Sequence, residues 1–156
     1  MYVNIAEPWG IFSYFLNENP TIPIIQKLIN EGDICIDIGA NMGGYAFSIA
    51  PKVGSTGKVF VFEPQPNYFQ MINDSIQVNK WSDFVLPENK ALWDSTGKIL
   101  PFYISQNPNN SGTSSLVNHG VFVDDKKMIS VETITLSDFL KSKNIKHCNF
   151  IKIDVE

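Results

Sequence analysis

The sequence predicts an α/β protein built on a doubly wound, mostly parallel sheet. Three observations carry that reading. Asp33-Ile-Cys-Ile-Asp-Ile38 and Lys58-Val-Phe-Val-Phe62 are short, nearly continuous apolar runs, the pattern of strands buried on both faces. Each is followed by a segment with helical spacing, from Tyr45 onward and from Pro66 to Asn79. The first strand–helix junction is glycine-rich, Gly39-Ala-Asn-Met-Gly-Gly44. Strands alternating with helices at this spacing mean βαβ units with right-handed crossovers.

The elements follow in order. Residues 1–18 are rich in aromatics (Tyr2, Trp9, Phe12, Tyr14, Phe15) and read as a cap on the sheet or a segment that closes over a ligand. Residues 22–31 read as a helix with Ile24, Ile25, Leu28 and Ile29 on one face, Pro23 in the first turn and Gly32 as C-terminal cap. Pro51 is expected to end or kink the helix that starts at Tyr45. In the helix from Pro66 to Asn79, Phe69, Met71, Ile72 and Ile76 form the apolar face. Phe84-Val-Leu86 begins a third strand.

The alternation then breaks. Residues 98–104 and 128–134 read as strands with no helix between them, separated by a polar loop from Gln106 to Gly120 that is expected to be mobile. We read 91–135 as an antiparallel insertion. Thr135-Leu-Ser-Asp138 resembles a capping box before a short helix. Asn149-Phe-Ile-Lys-Ile-Asp-Val-Glu156 is another buried-strand signature. The expected organisation is an N-terminal cap and leading helix over 1–31, then a ligand-binding domain over 32–156, cut short after its fourth core strand. The last strand should pair beside 33–38 and leave its outer edge open, which invites a homo-oligomer or a strand-supplying partner.

A chain of 156 residues suffices for one core. The net charge is −4 and all twelve basic residues are lysines, so the guanidinium fork that reads phosphate or guanine is missing. Nucleic acid is therefore not an expected partner. No apolar run reaches the roughly 20 residues of a membrane span. The first residues carry an acid and no basic n-region. Cys35 and Cys148 read as buried free thiols, since two cysteines so spaced make no metal motif. A cytoplasmic location is expected, with no metal site.

Three places carry chemistry. The first is Asp37-Ile-Gly-Ala-Asn-Met-Gly43 between strand and helix. Glycines permit a tight turn and close backbone approach, and a helix N-terminus offers N–H groups to an anion. A nicotinamide dinucleotide would want glycine where Asn41 stands, and a diphosphate would not welcome Asp37. A nicotinamide-dependent reductase is thus the weaker alternative. An acid there suits a cofactor with an ammonium group and no phosphate, and S-adenosylmethionine is such a molecule. The second place is Glu63, at the end of the next strand, where an acid accepts hydrogen bonds from two ribose hydroxyls. The third is Asp154-Val-Glu156, acids at the carboxyl edge of the last strand. His119 and His147 read as surface or packing residues before general bases. Asp124–Asp125 read as solvated turn charge, and Ser111-Gly-Thr-Ser-Ser115 as a flexible loop.

Together these motifs resemble the FkbM-type methyltransferases, a branch of the class I S-adenosylmethionine enzymes with a Rossmann-like fold. The matching stretches are GDICIDIGANMGGYAFSIA from Gly32, GKVFVFEPQPNYFQMINDSIQVN from Gly57, NKALWDSTG from Asn89, GTSSL from Gly112, and VETITLSDFL…NFIKIDVE from Val131. The resemblance implies that Asp37, Gly39, Ala40, Asn41 and Gly43 wrap the methionine part. It places Glu63 on the ribose and Lys90–Ala91 near the adenine, and raises an active-site-lining role for the 112–116 stretch. It implies O-methylation of a small-molecule or glycan acceptor: a hydroxyl on a sugar, glycolipid or secondary metabolite. Asp154 is the candidate base, or alternatively a cofactor-binding residue that only holds the ammonium. A non-catalytic cofactor-binding fragment is the alternative.

Overall fold

A computed structural model describes residues 21–105, 114–116 and 126–155. The expectations for residues 1–18, His119, Asp124–Asp125 and nearly all of the 106–120 loop lie outside the described residues.

The described chain runs α1 (Thr21–Leu28), β1 (Ile34–Ile38), α2 (Gly44–Val53), β2 (Lys58–Phe62), α3 (Pro66–Asn79), β3 (Val85–Glu88), β4 (Ala91–Leu92), β5 (Ile99–Ser105), β6 (Lys126–Ile134), α4 (Leu136–Ser142) and β7 (Phe150–Ile153). The main sheet has the order β3-β2-β1-β7, and all its pairings are parallel. Side chains of parallel strands alternate between faces, so this sheet divides the core in two. Cys35, Val59, Val61 and Val85 pack with Ile25, Ile29, Ile49, Val53, Ile72 and Ile76 from α1, the residue after it, α2 and α3. Ile36, Ile38, Phe60 and Phe62 pack on the other face against Phe139 of α4. Phe139 meets the rings of Phe60 and Phe62 edge-on, with centroids 5.1 and 4.7 Å apart.

β2 and α3 have the boundaries the sequence predicts. Others shift. α1 ends at Leu28, and only Ile25 and Ile29 of its expected face are buried. Ile24 and Leu28 are exposed, because α1 meets α2 along a narrower i, i+4 stripe. Pro51 does not stop α2, which runs two residues further. There it lies in the last turn, where little helix remains to be kinked by the ring and the missing backbone donor. β3 extends past Leu86 to include Pro87 and Glu88.

A second sheet has the order β4-β6-β5, with β4 parallel and β5 antiparallel to β6. Ser115 forms an isolated antiparallel bridge with Tyr103 of β5. Thr135 caps α4 by accepting from the Asp138 N–H at 3.0 Å. The return arm of a capping box is absent. The Thr135 N–H goes to the Thr96 hydroxyl, which itself donates to Asp138. Cys35 and Cys148 are free thiols, and burial pushes Cys35 up to about 12.

β7 pairs with β1 in the register Cys35↔Phe150 to Ile38↔Ile153. It is the outermost strand among the described residues, and Ile153 and Val155 are each 64% exposed. An apolar recess of about 290 Å³ lies beside it, lined by Ile38, Leu92, Trp93, Leu136, Ile153 and Val155. No described helix is long and apolar enough to cross a membrane.

Candidate cofactor site

The carboxyl ends of β1, β2 and β7 converge on the glycine-rich turn. Gly39 and Ala40 both donate to the Phe62 carbonyl, at 3.1 and 3.0 Å, which folds the turn over the end of β2. Gly39 has φ +73, and a Cβ there would stand 2.2 Å from the Asp154 carbonyl. Only glycine fits, so the turn lies directly against the end of β7. Gly43, with φ +83, starts α2, and a Cβ there would strike the Phe47 ring. Asn41 also takes the left-handed conformation, φ 52, which asparagine tolerates better than most residues.

Asp37 sits beneath this turn and is fully buried. Its Oδ2 accepts from the Ala46 N–H at 3.0 Å, so it supplies an acceptor to the first turn of α2, where Gly43 has no side chain to do so. Its Oδ1 stands 3.2 Å from the Lys152 ammonium. Burial pushes the Asp37 carboxyl above its ordinary range, while Lys152 and the Ala46 N–H pull it back. Lys152 also donates to the Gly39 carbonyl at 3.0 Å, lies 4.9 Å from the Tyr45 ring centroid, and is 3.7 Å from Asp154 Oδ2.

Glu63 is buried without a lysine at hydrogen-bond distance. Its Oε2 accepts from the Asn41 N–H at 2.7 Å and its Oε1 from the Gln65 N–H at 2.8 Å. Burial outweighs those bonds and pushes the carboxyl up to about 7. Asn89 donates its side-chain amide to the Glu63 and Pro64 carbonyls, at 2.9 and 3.1 Å, which brings Lys90 and Ala91 beside Glu63. Ala91 is buried in β4, and Lys90 pairs with Glu132 at 2.7 Å. Asp154 is tied by its N–H to the Ile38 carbonyl, and its carboxylate is 75% exposed at the sheet edge.

Asp37, Gly39, Ala40, Asn41, Gly43, Glu63 and Asp154 thus meet at one sheet edge, with Lys90–Ala91 tied to it through Asn89, while Glu156 lies outside the described residues. They differ in reach. Asp154 is open, Glu63 is 5% exposed, and Asp37 is fully buried. His147 lies exposed before the amino end of β7, across the sheet from Asp154. Sequence reasoning missed Lys152, Gln65 and Asn89. Lys152 left a signal: a lysine in the middle of Phe150-Ile-Lys-Ile153, a run read as buried on both faces, needs a partner. Among the described residues no three His, Cys, Asp or Glu side chains cluster as a metal site.

The profile of the methyltransferase FkbM domain matches residues 37–156. The chain belongs to this family. Among curated proteins none matches. Solved structures that resemble the chain include an S-adenosylmethionine-dependent O-methyltransferase from Thermotoga maritima, at 23% identity and TM-score 0.44, covering 51% of this chain and 32% of that one. A second is an S-adenosylmethionine-dependent methyltransferase from Aquifex aeolicus, at 18% identity and TM-score 0.41, covering 59% and 47%. A third is TYW2 from Pyrococcus horikoshii in complex with MeSAdo, at 23% identity and TM-score 0.41, covering 50% and 29%. The chain spans less than half the length of each.

Proposed function

We propose that residues 32–156, with 91–135 as an insertion, form the S-adenosylmethionine-binding part of a cytoplasmic O-methyltransferase. The observation that carries this reading is the Asn41 N–H to Glu63 bond of 2.7 Å. It joins a turn shaped for close backbone approach to a buried acid at the next strand end. Asp154 stands on the turn's other side, against Gly39.

The residues fit that cofactor. Glu63 keeps a free lone pair on each oxygen beyond its two backbone bonds, enough for two ribose hydroxyls. The backbone of Gly39, Ala40, Asn41 and Gly43 suits the methionine part. The Lys90–Ala91 segment, tied to Glu63 through Asn89, suits the adenine. Asp154 suits the ammonium, because its exposed carboxylate is the one acid of the three that a ligand can reach freely. Asp37 supports the turn from below.

The cofactor supplies an activated methyl on a sulfonium, so this chain's task is mostly alignment. An acceptor hydroxyl must also give up its proton. Asp154 is our candidate for the base that takes it, a role typically worth about 10²–10⁴-fold; the alternative role for its carboxylate is only to hold the cofactor's ammonium. The acceptor we favour is a hydroxyl on a sugar, glycolipid or secondary metabolite. Calorimetry of the purified chain with S-adenosylhomocysteine and with NAD tests the reading. Binding of the former alone is expected, and tighter binding of NAD would overturn it.

A further inference from the structure

We infer that Lys152 is a positioning residue of the cofactor site: it holds the β1–α2 turn in its binding shape by acting as the counter-ion of Asp37. The inference rests on the methyltransferase reading for its effect on affinity, though not for its effect on the turn. Lys152 stands at the register position directly beside Asp37, and its side chain is 12% exposed. An ammonium buried that far is costly unless it is paired and hydrogen-bonded. It is held by four groups from four pieces of chain. Asp37 lies at the end of β1, the Gly39 carbonyl in the turn, Tyr45 in the first turn of α2, and Asp154 just past β7. One cation therefore joins the two ends of the β1–α2 turn to the end of β7.

The electrostatics give this arrangement a signature. The charged and polar groups acting on Asp37 are Lys152 from β7, the Ala46 N–H from α2, Asp154 past β7, and Glu63 past β2. Of the three charged groups among them, two are acids. Without Lys152, an ionised Asp37 would face two like charges with one backbone N–H for support. The turn would then be tolerable only while Asp37 held a proton, and would loosen as pH rose.

The test uses the full chain with Lys152→Met, Asp37→Asn and the double variant. S-adenosylhomocysteine affinity is measured from about pH 6 to about pH 9, and backbone hydrogen exchange at one pH. We expect Lys152→Met to lose affinity relative to the parent chain progressively as pH rises, by roughly tenfold over that range. The double variant should recover most of the loss, since neighbours that act as a unit are not additive. Exchange at 39–46 should be faster in Lys152→Met than in the double variant, with α4 unchanged. A loss independent of pH, or additive effects, would show that Lys152 acts apart from Asp37 and would overturn the inference. If the parent chain binds no S-adenosylhomocysteine, the functional reading fails, and the exchange comparison still decides the role of Lys152. If Lys152→Met does not fold, a folded double variant supports the inference, and an unfolded one overturns it.

Discussion

Two lysine–carboxylate pairs flank the candidate site, and the shorter is the weaker. Lys90 and Glu132 approach to 2.7 Å, with 30% and 47% of their side chains exposed. Lys152 and Asp37 are 3.2 Å apart, with 12% and 1% exposed. Water screens the first pair and competes for its hydrogen bonds, so its net contribution is small. The second pair has little water to fall back on, so losing either partner strands a charge. Burial, not distance, decides which pair the site depends on. Glu63 is the intermediate case: it is as buried as the inner pair, but backbone N–H groups hold it in place of a cation.

The largest effect should come from Asp37→Ala. It removes an acceptor of α2's first turn and leaves Lys152 buried with only the Gly39 carbonyl, the Tyr45 ring and the more distant Asp154. We expect about 3–5 kcal/mol of destabilisation in denaturant unfolding, the usual cost of breaking a buried pair. A loss below about 1 kcal/mol would mean that the pair is hydrated in solution and that the comparison with Lys90–Glu132 collapses.

Glu63→Ala comes next. It should weaken S-adenosylhomocysteine binding by roughly 1.5–3 kcal/mol, the range for hydrogen bonds to a charged group. A folded variant with unchanged affinity would show that Glu63 serves only the turn. The same residue makes a prediction in pH. Its carboxyl is raised in the folded protein from 4.5 to about 7, so the folded state holds this proton more tightly than the unfolded one. Its contribution to stability is therefore complete below the unfolded value and is lost as pH rises through about 7. Glu63→Gln should remove that downward slope while losing one of the two backbone bonds, because an amide nitrogen cannot accept. Stability curves of parent and variant that stay parallel between pH 4.5 and 7 would contradict the raised value.

Much of this was legible in the sequence, for identifiable reasons. β2 lies between Gly57 and Glu63-Pro64, and α3 opens on Pro66, so strong punctuation set their limits. The site residues were legible because turn glycines and strand-end acids sit where a βαβ step must place them. Lys152 was not, because its meaning depends on parallel register. Only when Asp37 and Lys152 are level across β1 and β7 does a lysine 115 positions away become a partner. The exposed Ile24 and Leu28 were misread for a related reason. Periodicity shows which residues share a face, but not how wide a stripe the neighbouring element covers.

The smallest effect, and the sharpest test of the adenine placement, is at Lys90. Its ammonium is committed to Glu132 on β6, while its backbone lies one residue past Asn89, which is tied to Glu63. Lys90→Met keeps most of the side-chain stem and deletes the charge. It should cost about 0.2–1 kcal/mol of stability, and less in high salt, as an exposed pair should. Cofactor affinity should stay within about twofold of the parent chain, because the pairing turns the charge toward Glu132 and an adenine offers no anion for it. Lys90→Ala deletes the stem as well. If the stem lies along the adenine, affinity should fall by a further ~3–5-fold, the loss of about one buried methylene's worth of contact. Equal affinities for the two variants would remove Lys90 from the site and leave Ala91 alone beside the adenine. A large loss in Lys90→Met would reverse the comparison, since the outer pair would then matter to binding through its charge despite its exposure.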